Sequence, residues 1–155
     1  MNKPRRFALA ILVGGLVAGT LDIFVAAAIN HRSVGTILQA IASGVLGRAS
    51  FEGGTHSMIL GFALQWAMSL IIAAIFVLAS VRLNVLARRP AITGVLYGVG
   101  VFIVMNFVVV PLSAAWPKHR HPSLEAILLN LAAMILFGLI VAFTPWILNG
   151  RPRAR

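Results

Sequence analysis

The sequence contains no cysteine. No disulfide framework and no thiolate metal site can therefore be built, and cysteine usage says nothing about compartment. Acids are almost as scarce: Asp22, Glu52 and Glu125 stand against 13 Lys and Arg. Charged residues of both signs make up 10% of the chain and hydrophobic ones 60%, with mean hydropathy +0.98. Soluble domains carry about a quarter charged residues, so this is a membrane composition. Also missing are H-E-x-x-H, a phosphate-binding loop, G-x-S-x-G and a dinucleotide fingerprint. No enzyme activity, cofactor or metal is expected on that evidence.

What is present is a series of apolar runs separated by short basic blocks. A helix needs about 20 apolar residues to cross hydrocarbon. Four runs meet that length: 7–29, 58–81, 92–112 and 124–148. The first follows a basic start and holds Ala26-Ala27-Ala28, an A-x-A cleavage pattern. Its length exceeds the roughly 7–15 apolar residues of a signal peptide, and an Asp is out of place in a discarded segment, so retention is expected. Between runs one and two, Val34, Ile37, Leu38, Ile41, Val45 and Leu46 form an amphipathic helical stripe over about 33–50, with Ser33, Gln39, Ser43 and Ser50 largely off it. That pattern suits a segment lying in the interface or re-entering the membrane. The fold expected for residues 1–155 is all-α: a single integral membrane four-helix bundle with this segment between spans one and two.

The net charge of +10 would suggest nucleic acid in a soluble protein. Here the cations sit at the ends of apolar runs, so no nucleic-acid partner is expected. Their distribution predicts orientation instead. With four spans, Lys3, Arg5, Arg6, Arg82, Arg88, Arg89, Arg151, Arg153 and Arg155 share one side, against Arg32, Arg48, Lys118 and Arg120 on the other. Both termini are then cytoplasmic. A fifth span over 33–50 would make the tally nearly even.

Within the first run, Gly15, Gly19, Asp22 and Ala26 fall on one helical stripe. Small residues let a second backbone approach, and Gly94 and Gly98 repeat the pattern in the third run. A carboxylate at a membrane centre costs about 2.5–3.5 kcal/mol on insertion scales, so Asp22 should face protein or water. Gln65 and Asn106 are its candidate polar neighbours. Asp22 either fixes helix register through hydrogen bonds or carries protons or ions. Pro111 predicts a kink or helix end, Thr55 or Ser57 can cap the second span, and Ser123 the fourth.

The predicted topology puts Glu52, Glu125 and all four histidines (His31, His56, His119, His121) on the outer side. Such a gathering could bind a divalent metal or sense pH. Loop histidines and a helix-start Glu125 need no such role, and no ligand spacing supports it. Gly53-Gly54-Thr55-His56-Ser57 reads as a turn and cap before it reads as an anion cup. Ser57, His56 and Asp22 make a poor triad, since adjacent residues rarely reach the needed geometry.

Gly14-Gly15, Gly19-Thr20-Leu21-Asp22-Ile23, the run Leu38–Gly47, Phe51-Glu52-Gly53-Gly54, Leu96-Tyr97-Gly98, Met105-Asn106 and Pro111-Leu112-Ser113-Ala114 resemble a family of small four-span bacterial inner-membrane proteins. A more distant likeness is to YagU-type inner-membrane proteins. The resemblance covers roughly residues 10–115. It implies four spans and a retained first helix, and it supplies no activity because the family is uncharacterised. Its members often have His where this chain has Gln65, which speaks against an essential ligand there. The function expected is that of a non-enzymatic membrane protein in contact with the lipid bilayer, a homo-oligomer or an accessory subunit of other membrane proteins. The alternative is a small proton-, ion- or solute-transporting protein that uses Asp22.

Overall fold

A long apolar run interrupted only by Asp22, with Pro4 confined to the first turn where its missing amide has no helical partner to lose, makes α1 a single helix, Lys3–Ile29. It ends where Asn30 and His31 turn the chain, His31 with φ +49°. The structure, a computed structural model, describes residues 3–83, 86, 88–115 and 123–149. After α1 come α2 (Val34–Leu46), a 3-10 turn (Gly47–Phe51), α3 (Gly54–Arg82), α4 (Pro90–Leu112) and α5 (Leu124–Asn149). No strand occurs among the described residues. Among the described residues five helical segments are long and apolar enough to cross a membrane, Val34–Phe51 among them when its two pieces are joined. That joined segment is not one rod: Gly47 takes φ +59° between them, a conformation that ends α2 and redirects the chain.

The four long helices alternate in direction. Gly15 lies beside Leu70, Gly19 beside Ser69, and Asp22 is bonded to Gln65, so α3 descends as α1 rises. Gly14 meets Thr144, Gly94 meets Leu139 and Gly98 meets Ile135, which sets α5 antiparallel to both α1 and α4. One end of the molecule, the top, therefore holds Ile29, Gly54, Leu112 and Leu124. The base holds Arg82, Pro90 and Asn149. Helix α2 starts from the top through Ser33, whose hydroxyl accepts from the Thr36 amide at 3.2 Å. It also finishes there, because the Gly44 carbonyl accepts from the Ala114 amide, 2.9 Å away, just past the end of α4. It packs on the upper part of α3, where Gly61 lets the Leu38 carbonyl come against the α3 backbone.

Close approach runs through the whole assembly. A methyl group on Gly98 would strike the Met134 carbonyl and lie 2.6 Å from Ile135 Cα. One on Gly138 would strike the Gly94 carbonyl and lie 2.6 Å from the Gly98 nitrogen. Below the middle, Ala18, Ala73, Phe76, Phe137, Val141 and Ala142 form the buried core. Tyr97 packs edge-on against Phe76 at 4.9 Å and donates its hydroxyl to the Ile72 carbonyl at 2.6 Å, joining α4 to α3.

Several local expectations change. Helix α3 begins at Gly54, four residues before the expected 58, with Gly53 as its cap and no side-chain cap bond, so neither Thr55 nor Ser57 caps it. Ser123 does cap α5, accepting from the Ala126 amide at 3.2 Å. Pro111 does mark a helix end, because α4 stops one residue beyond it at Leu112. A π-turn over Met105–Val109 widens the spiral first, with the Val110 amide bonded to the Met105 carbonyl, and helix resumes to Leu112. The apolar stripe of α2 is divided between the protein and the outside. Ala42 and Ser43 are buried, while Val45 and Leu46 are 61% and 44% exposed. Small residues permit the close crossing with α3; Ile37 is buried with them, and Val45 and Leu46 face outward.

Substitution should separate close approach from mere helix content. Gly98→Leu must drive α4 from α5 and should cost more than the 1–3 kcal/mol or so of ordinary overpacking. Gly100 has nothing near its missing methyl, so Gly100→Ala should hold or raise the melting temperature in detergent. Equal melting of the two variants would contradict this packing.

Candidate functional site

On α1 the buried positions Ala10, Gly14, Gly15, Ala18, Gly19 and Ile23 recur at helical spacing, and Asp22 sits half-buried on the edge of that stripe. Gln65 and Ser69, four apart on α3, share the facing side. With no side chain at Gly19, the buried Ser69 hydroxyl seats directly against it, and Gln65 can reach α1. Its amide nitrogen donates to Asp22 Oδ2 at 2.8 Å and to the Gly19 carbonyl at a longer 3.4 Å. One turn along the pair, the Trp66 indole donates to Thr20 Oγ1 at 3.2 Å. Asp22 Oδ1 accepts no hydrogen bond among the described residues.

Beside the Asp22–Gln65 pair lies a cavity with about 30 Å³ of free space. Asp22, Gln65 and Ser69 form its polar wall. Met68, Met105 and Met134 come from α3, α4 and α5, and Ile72, Val101 and Phe137 complete it. A water needs about 10–15 Å³ of such space, so the cavity has room for about two or three. A second recess, on the α5 side of Asp22, holds about 10 Å³. The arrangement can orient a carboxylate and hold a very small guest; a substrate of several heavy atoms does not fit.

The expected neighbours divide. Gln65 meets Asp22. Asn106 does not: its amide donates to the Phe102 carbonyl of its own helix at 2.8 Å, and its oxygen accepts from Asn130 at 3.4 Å. The Phe102 carbonyl also accepts from the Met105 amide at the start of the π-turn, so Asn106 bonds a carbonyl of its own helix four residues back. Asn130 escaped the sequence reading, although a second Asn at a comparable depth in the following run is a visible signal. The methionine convergence had no signal, because the three positions lie on separate helices. Gly15 and Gly19 face α3, and Gly94 and Gly98 face α5. His31, Glu52, His56 and Glu125 are all exposed at the top. No group of three His, Asp or Glu among the described residues is placed to hold a metal ion. His119 and His121 lie outside the described residues.

Removing one partner of the pair should cost more than neutralising the other. Asp22→Asn keeps a carbonyl oxygen for the Gln65 amide and should melt close to wild type. Gln65→Leu strips the carboxylate of its donor among the described residues and should cost about 1–3 kcal/mol. Thermal unfolding in one detergent checks both; a Gln65→Leu variant as stable as wild type would mean that the bond contributes nothing.

The chain matches no protein-family model, and no curated protein and no solved structure is significantly similar to it.

Proposed function

We propose that this chain is an integral protein of a bacterial inner membrane, crossing it four times with both termini cytoplasmic. On this reading it works without catalysis, as a homo-oligomer or an accessory subunit of a larger membrane assembly. The observation that carries the topology is the position of α2. Both of its ends lie at the top, tied at Ser33 and at the Gly44–Ala114 bond, so only α1, α3, α4 and α5 run from top to base. Large side chains point outward from these four helices, Phe24 at 56% exposure, Leu96 at 66% and Phe107 at 71% among them. Such a surface is far beyond the apolar patches of a soluble monomer and suits lipid. Arg5, Arg6, Arg82, Arg88 and Arg89 lie at the base, against Arg32 and Arg48 at the top, and this bias supports a cytoplasmic base. The likeness to the uncharacterised four-span family agrees and adds no activity.

For the role itself, the cavities weigh most. A transport path would line up Asp22, Gln65 and Asn106 along water. Here Asn106 turns to its own helix and to Asn130, and Asp22 borders recesses of about 10 and 30 Å³. Asp22 is then first a register-setting group. Proton or ion movement through Asp22 is the second reading, favoured by its unbonded Oδ1 beside the larger cavity.

The absence of native cysteine makes topology directly testable. Ser33→Cys and Glu52→Cys, each alone, should react with a membrane-impermeant maleimide from the same, outer, side, and Leu86→Cys from the inner side. Ser33 and Glu52 on opposite sides would mean that 34–51 crosses. For the role, mass measurement after mild-detergent extraction should show more than one chain or a bound partner. A lone 16.5 kDa protein would contradict it.

A further inference from the structure

We propose that the cavity beside Asp22 is a binding site for a soft monovalent metal ion, Cu(I), held by the thioether sulfurs of Met68, Met105 and Met134 and charge-balanced by the Asp22 carboxylate. Five methionines occur in the chain. Apart from Met1, only Met58 lies elsewhere, against Gly35 of α2. The other three come from three different helices to one cavity, and the fourth long helix supplies Asp22. Each long helix thus contributes one donor.

The donor set selects the ion. Thioethers are soft ligands that suit Cu(I), whereas Mg(II) and Ca(II) require six to eight oxygens. Only Asp22, Gln65 and Ser69 offer oxygen here, and no His or Cys lines the cavity. Thioethers are neutral, so a bound +1 ion would leave a bare charge in an apolar interior, which is costly. One carboxylate cancels it. Gln65 already orients Asp22 through Oδ2, which leaves Oδ1 for the ion. The free space of about 30 Å³ suits a dehydrated ion, and methionine's three rotatable bonds let sulfurs close around it. Met105 also opens the π-turn, a distortion that commonly re-aims side chains at working sites. The competing account is that methionine merely fills an irregular gap. The inference rests on how the four helices pack and not on their crossing a bilayer, so a failed topology assay would leave it standing.

The purified full chain in detergent, anaerobic with ascorbate and thiol-free, is titrated with Cu(I) against a coloured Cu(I) chelator. One ion per chain is expected. X-ray absorption should show sulfur neighbours, all of which are methionine because the chain has no cysteine. Met68→Leu, Met105→Leu and Met134→Leu keep side-chain volume nearly constant. Each should weaken binding at least as much as the 10–100-fold or so that outer-shell partners contribute. Met58→Leu should not. Asp22→Asn should weaken it by about tenfold, and Zn(II) should not displace the ion. No uptake by wild type, equal uptake by the triple Leu variant, or a shell of only oxygen and nitrogen overturns the proposal. Should the triple variant not fold, the single variants and the wild-type sulfur shell decide.

Discussion

Helices surrounded by lipid gain little hydrophobic free energy from one another, because lipid tails are as apolar as leucine. What selects partners is close backbone approach, and the small residues of this chain supply it at each major contact. Gly94, Gly98 and Gly138 interlock α4 with α5, Gly15 and Gly19 admit α3 to α1, and Gly61 admits α2 to α3. Where two backbones come that near, dispersion contacts accumulate and short polar side chains can reach across. Gly19 shows the link from sequence to chemistry. Its missing side chain seats Ser69, and that seating brings Gln65 within 2.8 Å of the Asp22 carboxylate.

The same constraint places α2. A short helix with small residues at the crossing can approach α3 closely at Gly61 while Val45 and Leu46 look outward. Its far end is then fixed by one backbone hydrogen bond between Gly44 and Ala114. That bond closes a layer across the top, so α3 starts where α1 finished. The alternation of the four long helices follows from it, and with it the proposed side of each basic cluster.

Legibility in the sequence followed the range of the interactions. The inward stripe of α1 was readable because Gly15, Gly19 and Asp22 repeat at the helical period within one segment. Gln65 was readable as its neighbour because it sits on the small, polar side of the next long run. Asn106 misled, since an amide side chain four residues past a carbonyl of its own helix finds a local partner before a distant one. The facing of α2 was legible only in part. Val45 and Leu46 of its apolar stripe stay outside, whereas Ile37 of the same stripe and Ser43 from off it are buried. The meeting of Met68, Met105 and Met134 depends on three interhelical registers at once, and no local pattern encodes it.

The docking of α2 across the top separates four crossings from five, and one pair of positions reports on it. An ideal Cβ on Gly44 lies 3.9 Å from Ser113 Cβ, within the roughly 3.5–4.5 Å Cβ separation of a disulfide. In the otherwise cysteine-free chain, Gly44→Cys combined with Ser113→Cys should close an intramolecular disulfide on mild oxidation in native membranes. The shift on a non-reducing gel should be near complete and lost on reduction. Failure of that pair to cross-link while both thiols still react with maleimide would place the end of α2 away from the end of α4 and contradict the account.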